Sequence, residues 1–357
     1  MKMTVRRNAF RRALLLGADA ERRYDERIKG KPMILAGDVG GTKARLALYQ
    51  FQDGSFARQH TQTFNSADFS GVEEVVQTFL RKHNARVSKV CIGIPAPIVE
   101  GKARPANLAW ELDEARLANM LGINAVRLVN DLVATTAAVP FLSEEDLIVL
   151  HRGELTGKEK IYGVLAPGTG LGEGFLIRGP NQNEVISSEG GHVDFAPTND
   201  TEIALLQYLQ KQHQHVSYER VLSGPGLIGI YNFLKDTGRE VQPAELTARM
   251  RTENQAAVIS QAALAHEFEI CVRALDIFVS VLGAQAGNMV LTVWATGGIY
   301  IGGGMPPKIL PKLADGSILT SYLNKGRVTN FVQKTPLYVI RDDHAALLGA
   351  AYLASTL

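Results

Sequence analysis

The stretch Met33-Ile34-Leu35-Ala36-Gly37-Asp38-Val39-Gly40-Gly41-Thr42-Lys43-Ala44-Arg45-Leu46-Ala47-Leu48-Tyr49 decides the fold. A short apolar run (Met33 to Ala36) leads into a glycine-rich turn, and the alternation after the turn favours a second strand over a helix. The turn is therefore neither Gly-x-x-x-x-Gly-Lys-Ser/Thr nor a Gly-x-Gly-x-x-Gly that opens a helix. It reads as a β-hairpin whose glycines permit positive φ and close approach, and whose tip offers backbone N–H groups and the Thr42 hydroxyl to phosphate oxygens. Asp38 stands where a carboxylate can hold a metal through water. Taken alone, an ordinary Gly-Gly hairpin explains the segment equally well.

Outward from this hairpin, the pattern recurs. The apolar run Ile161 to Leu165 leads into Ala166-Pro167-Gly168-Thr169-Gly170-Leu171-Gly172, again strand, tight turn, strand, and the two turns are consistent with duplicated halves. Between them the strand Ala125 to Val129 delivers Asn130 and Asp131. Two such turns and an Asn-Asp pair suggest a nucleotide held between related lobes with one carboxylate aimed at the reaction centre. The plainer reading of Asn130-Asp131 is a helix cap for Leu132 to Ala138, and the two roles are compatible.

The hairpin, Asn130-Asp131, Ala166 to Gly172, Glu189-Gly190-Gly191-His192-Val193-Asp194-Phe195, Glu219-Arg220-Val221-Leu222-Ser223-Gly224-Pro225-Gly226 and Gly302-Gly303-Gly304 occur in this order. Together they resemble the bacterial-type glucokinase family, from about Met33 to near the C-terminus. The resemblance implies an α/β, two-lobed actin/Hsp70-like ATPase (ribonuclease H-like) fold with a cleft between the lobes. It implies transfer of the γ-phosphoryl of ATP, carried with Mg²⁺, to the 6-hydroxyl of D-glucose. It also implies a homodimer.

Phosphoryl transfer asks for an alcohol placed in line, a group to accept its proton, and charge neutralisation. The resemblance gives Asp131 the role of general base. It gives the sugar hydroxyls to Asn130, Asp131, Glu189, His192 and Glu219, with Asn107 as a further contact. It gives the nucleotide to Asp38, Gly40, Gly41, Thr42, Gly168, Thr169, Gly170, Gly302 and Gly303. Read singly, His192 is a structural histidine and Glu219 a solvated residue at a helix start. Lys43 stands where many relatives carry Asn, and its role stays open. A kinase of another hexose or of an N-acetyl hexosamine, and a sugar-sensing regulator without catalysis, are the competing readings.

With 357 residues, 46% hydrophobic and 21% charged, the chain can bury a large core in two domains of ordinary size. The expected division is a leader over 1–32, a small lobe of 33–140 plus about 341–357, and a large lobe of 141–340. Thirty-eight basic against thirty-six acidic residues leave a formal charge of +2, which gives no polyanion bias, so nucleic acid is not expected. Cys91 and Cys271 each lie in an apolar stretch. A disulfide framework and a cysteine zinc site are not expected, and a reducing, cytoplasmic setting is. The Cys-rich zinc loop of a neighbouring sugar-kinase group is missing, so the only metal expected is Mg²⁺ brought by ATP.

Arg6, Arg7, Arg11 and Arg12 make a basic, acid-free opening before Asp19, Glu21, Asp25 and Glu26 restore acidity. It reads as a dispensable or mis-started leader, with organellar import as the alternative. No run reaches the ~18 apolar residues of a membrane span, so no membrane partner is expected. Further helices are predicted over Val72 to Arg81, Leu112 to Leu121, Thr201 to Gln212, Glu245 to Met250, Asn254 to Leu291 and Ala345 to Ala354. Strands are predicted over Lys89 to Ile94, Leu147 to His151 and Leu337 to Arg341, and a Gly-rich strand and turn over Thr296 to Gly304.

Overall fold

The computed structural model describes residues 33–52, 54–341 and 344–357. The expected leader over 1–32 lies outside them. Two sheets share one plan. In the first, strands β1 (Met33–Val39), β2 (Lys43–Gln52), β3 (Ser55–Asn65), β4 (Val87–Ile94) and β7 (Ala125–Asn130) lie in the order β3-β2-β1-β4-β7. A two-stranded ladder of β5 (Lys102–Ala103) and β6 (Leu112–Asp113) stands apart. In the second, strands β8 (Leu147–His151), β9 (Ile161–Pro167), β10 (Leu171–Ile177), β11 (Glu184–Ser188), β12 (Ile299–Ile301) and β13 (Leu337–Ile340) lie in the order β11-β10-β9-β12-β13-β8.

Each sheet is an antiparallel meander (β1 to β3, β9 to β11) with two parallel strands laid against its first member (β4 and β7, β12 and β13). The two glycine turns close the first hairpin of each meander, so the duplication read from them is a duplication of topology.

Period-two alternation explains why the first sheet is covered on both faces. Leu35, Val39, Leu46 and Leu48 point into one core with Val75, Val76 and Phe79 of the helix Val72–Lys82. Ile34, Ala36, Ala47 and Tyr49 point the other way, onto Leu347, Ala350, Ala351 and Ala354 of the helix Ala345–Ser355. The chain therefore returns to the first sheet at its end, and Lys89 Nζ donates to the Ser355 carbonyl at 2.7 Å. The second sheet packs Leu165, Ile299, Ile301 and Val339 against the helix Glu269–Val293. A seam of Ala138, Val139, Val164, Tyr300, Ile340 and Ala345 joins the two halves.

Three expectations need correction. The predicted helix Asn254 to Leu291 is two, Gln255–Leu264 and Glu269–Val293, separated where His266 takes φ of 53°. The helix expected from Leu112 starts at Glu114, because Asp113 accepts the N–H groups of Ala115 and Arg116 as an N-cap while Leu112–Asp113 pairs with Lys102–Ala103. By length and composition, Glu269–Val293 passes as a membrane span, contrary to the expectation that none does, but 72% of its most apolar window is buried in the second core. Cys91 and Cys271 are both free and buried.

Candidate active site

Parallel pairing places Asp38 of β1 beside Gly93 of β4, and Gly93 beside Val129 of β7. The first glycine turn and the Asn130-Asp131 pair therefore leave the same edge of the first sheet. Asn130 is extended and caps the helix Asp131–Ala138, its Oδ1 accepting the Leu132 N–H at 3.0 Å. Asp131 Oδ1 accepts the same N–H at 2.9 Å, and the Thr135 hydroxyl donates to the Asp131 carbonyl at 3.0 Å. Capping and presentation of the carboxylate are thus one local structure. Burial pushes the Asp131 carboxyl above its ordinary range, partly offset by the Leu132 N–H.

Glycines seat this helix between the two sheets. A Cβ on Gly172 would lie 2.9 Å from Leu132 Cδ2, one on Gly174 2.4 Å from Thr136 Oγ1, and one on Gly93 3.2 Å from Ala134 Cβ. On the C-terminal helix, a Cβ on Gly349 would lie 1.7 Å from the Ala134 carbonyl oxygen.

Glu189 and His192 flank a 3₁₀ turn, Gly190–His192, closed by the His192 N–H donating to the Glu189 carbonyl at 2.9 Å. Residues three apart eclipse in a 3₁₀ turn, which brings His192 Nε2 to 3.9 Å from Glu189 Oε2. Gly191 fits because a Cβ there would meet the Leu171 carbonyl oxygen of β10 at 2.1 Å. Backbone bonds from Phe195 to Val216 and from Tyr218 to Val193 lay the next segment alongside. His192 Nδ1 then stands 4.0 Å from Glu219 Oε1. Glu219 Oε2 accepts the Leu171 N–H at 3.0 Å.

Glu189, His192 and Glu219 are therefore brought together at the start of β10, one residue from Gly172, on which Leu132 packs. Their exposures grade outward, with side chains 31% exposed at Glu219, 57% at His192 and 92% at Glu189. His192, His213, His215, Ser217, Glu219 and Arg220 line part of an open cavity of about 390 Å³ beside them.

The glycine turns are built differently from expectation. None of Gly40, Gly41, Gly168, Gly170 or Gly172 takes the left-handed φ that the sequence reading offered as their reason. Neighbours demand three of them, Gly41, Gly170 and Gly172, whereas a Cβ on Gly40 or Gly168 would meet nothing closer than 3.5 or 4.0 Å. A Cβ on Gly41 would lie 2.8 Å from the Asn107 carbonyl oxygen, and one on Gly170 2.5 Å from Glu219 Oε2. Asn107 thus lies against the first turn, exposed, with Thr42 and Lys43 exposed at its tip. Among the candidate glycines only Gly303 is left-handed, with φ of 85°, and it lies against Pro167.

Gly168, Thr169 and Gly170 close the second turn, the Gly168 N–H donating to the Gly170 carbonyl at 2.8 Å, and Gly302 joins the Leu165 carbonyl at 2.9 Å. The Gly224 N–H donates to the Gly168 carbonyl at 2.9 Å, which sets the head of the helix Gly224–Asp236, capped by Ser223, against that turn. That helix head was not among the sequence candidates. Asp38 faces Arg45 across the hairpin at 4.0 Å. Among the described residues no group of three His, Cys, Asp or Glu side chains is spaced to hold a metal.

The glucokinase family profile matches residues 35–357. The chain belongs to the glucokinase family. A glucokinase of Nostoc punctiforme is 38% identical over 340 residues, covering 91% of this chain and 99% of that protein. The crystal structure of a glucokinase from an Antarctic psychrotroph superposes with a TM-score of 0.83 at 30% identity, covering 92% of this chain and 100% of that one. A Balamuthia mandrillaris glucokinase solved in complex with glucose shares the fold at 22% identity and a TM-score of 0.73, covering 92% of this chain and 94% of that one. This family membership fits the paired α/β sheets of duplicated topology described above.

Proposed function

We propose that this glucokinase-family enzyme transfers the γ-phosphoryl group of ATP to the 6-hydroxyl of D-glucose, with Asp131 as general base. The observation that carries the reading is the seating of a half-buried carboxylate, on a helix wedged against β10, beside a second-sheet cluster of Glu189, His192 and Glu219. Two carboxylates and an imidazole can pair with vicinal hydroxyls, and a ligand lacking one hydroxyl would leave a polar group unpaired. Asn130, and Asn107 beside the first turn, complete the hydroxyl contacts.

Asp131 accepts the O6 proton as the phosphoryl group departs. A carboxyl held above its ordinary range by burial binds that proton better than a free one would, which suits a base working near neutral pH. The nucleotide is assigned to the two turns: Gly40, Gly41 and Thr42 on one side, Gly168, Thr169, Gly170, Gly302 and Gly303 on the other, with the helix head at Gly224 favouring negative charge. Mg²⁺ carried on the phosphates would meet Asp38 through water and neutralise developing charge. A carboxylate with a cationic neighbour and, among the described residues, no metal-holding acidic cluster around it fits an ion that arrives with its nucleotide.

The small lobe is 33–140 with about 341–357, and the large lobe 141–340. Because candidate sugar ligands come from both, binding would draw the lobes together and expel water. A cytoplasmic homodimer completes the proposal. The test is turnover with glucose, mannose, fructose and N-acetylglucosamine, each with ATP, ADP and polyphosphate. Glucose with ATP is expected to dominate, and a higher kcat/KM for another sugar would reassign the substrate.

A further inference from the structure

Directly beneath the Gly190–His192 turn lies a carboxylate that the chemistry above does not use. Glu173, on β10, is only 3% exposed. A Cβ on Gly190 would lie 2.2 Å from Glu173 Oε2, so the turn rests on this carboxylate with no side chain between. The other oxygen, Oε1, accepts from Gln285 Nε2 at 2.7 Å. Gln285 Oε1 accepts from Asn288 Nδ2 at 3.2 Å, and the same amide donates to the Tyr218 hydroxyl at 3.0 Å. Lys325 Nζ donates to Asn288 Oδ1 at 2.7 Å and to the Ala284 carbonyl at 2.8 Å.

A buried carboxylate and a half-buried ammonium are costly, and an apolar core would fill this space more cheaply. Burial indeed pushes the Glu173 carboxyl up and the Lys325 ammonium down. What hydrogen bonds add that apolar contacts lack is direction and length. Gln285 and Asn288 stand one turn apart on the rigid helix Glu269–Val293. From there one arm reaches the floor of the turn bearing Glu189 and His192, and the other reaches the residue preceding Glu219.

We infer that Glu173, Gln285 and Asn288 are positioning residues that set the separation between the Glu189–His192 turn and Glu219, and hence the fit of the hexose. The inference rests on the reading that these three side chains hold the sugar. Glucose KM, ATP KM, kcat and thermal midpoint are measured for Glu173→Ala, Glu173→Gln, Gln285→Leu and the milder Tyr218→Phe, which deletes one oxygen and keeps the ring.

Glu173→Ala and Gln285→Leu are expected to raise glucose KM about tenfold or more, the effect of one hydrogen bond to a charged group. ATP KM should hold and kcat should change far less. Glu173→Gln keeps an acceptor for Gln285 and should stay near the wild-type glucose KM, with Tyr218→Phe intermediate. Parallel rises in both KM values that track a falling midpoint would overturn the inference, as would an unchanged glucose KM in Gln285→Leu and Tyr218→Phe together. His192→Ala and Glu219→Ala, run alongside, separate the failures. If they raise glucose KM and the network variants do not, only this inference falls. If they too leave it unchanged, the site reading falls and takes the inference with it.

Discussion

Four glycines grip the helix that carries Asp131, and placing alanine at each in turn is a graded test of how tightly catalysis depends on that grip. An added Cβ would meet its nearest neighbour at 3.2 Å for Gly93, 2.9 Å for Gly172, 2.4 Å for Gly174 and 1.7 Å for Gly349. Real Cβ contacts stay beyond 3.0 Å, so Gly93→Ala needs almost no movement and Gly172→Ala a small swing of the flexible Leu132 side chain. Gly349→Ala must open a gap of about 1.3 Å between the helix backbones, the difference between 1.7 and 3.0 Å, because the obstacle is a main-chain carbonyl.

Alanine's better helix propensity at Gly349 gains at most about 1 kcal/mol. Overpacking costs ~1–3 kcal/mol or more, so the steric term wins. A misplacement on the order of 1 Å lowers turnover up to ~100-fold, equivalent to about 2.7 kcal/mol of barrier. ADP formation at saturating glucose and ATP, with thermal unfolding in parallel, should rank kcat as Gly93→Ala, then Gly172→Ala, then Gly174→Ala, then Gly349→Ala. Glucose affinity should change less than kcat, because Glu189, His192 and Glu219 stand on the other sheet. Gly229→Ala, where the new Cβ would sit an ordinary 3.7 Å from Leu209, is the control and should be neutral or stabilising. Wild-type kcat and midpoint in Gly349→Ala, or a reversed ranking, would refute the argument.

Three further outcomes follow from the site and its surroundings. Asp131→Ala should retain glucose binding by calorimetry, and Asp131→Asn should lose ~10²–10⁴-fold in kcat; intact turnover in either would remove Asp131 from the base role. Because the folded-state pKa of Asp131 is raised, its contribution to stability is fully present below the unfolded value and is lost as pH rises through the folded one. Asp131→Asn should therefore unfold no earlier than wild type at pH 7, and the acidic limb of kcat/KM should lie above the free-carboxylate range of about 4. Gly170→Ala, whose Cβ would lie 2.5 Å from Glu219 Oε2, should raise glucose KM along with Glu219→Ala; a change in ATP KM alone would assign that turn to the nucleotide only. Burial pushes the Cys91 thiol up to about 12 and the Cys271 thiol up to about 11, so a thiol reagent at pH 8 should label neither until the protein unfolds. Rapid labelling of the native protein would contradict that burial.

Much of the candidate site was legible because its carriers are local. The alternation after Gly41, the Asn130-Asp131 step after a β-rich run, and the Glu189 to Phe195 and Glu219 to Gly226 strings each declare a turn and its polar cargo within a few residues. Where apolar periodicity was missing or misleading, the reading failed. β3 turns Arg58 and His60 to solvent, and β11 is five residues long with none of them buried, so neither shows a continuous apolar face to read. The break near His266 carries no glycine or proline to announce it.

The chain's own order of residues determined the two hairpins, the identity of the carboxylates and imidazole, and the family, since strand alternation, turn chemistry and cap preference act over a few bonds. Only the tertiary structure decided why Gly41, Gly170 and Gly172 are glycines, that Asp131 rides a helix clamped by Gly172 and Gly349, and that Glu173 meets Gln285 beneath the candidate sugar residues. Those facts depend on exclusion, desolvation and hydrogen bonding between atoms far apart along the backbone. Which distant segment supplies the neighbour is settled by packing the whole, not by any stretch of it.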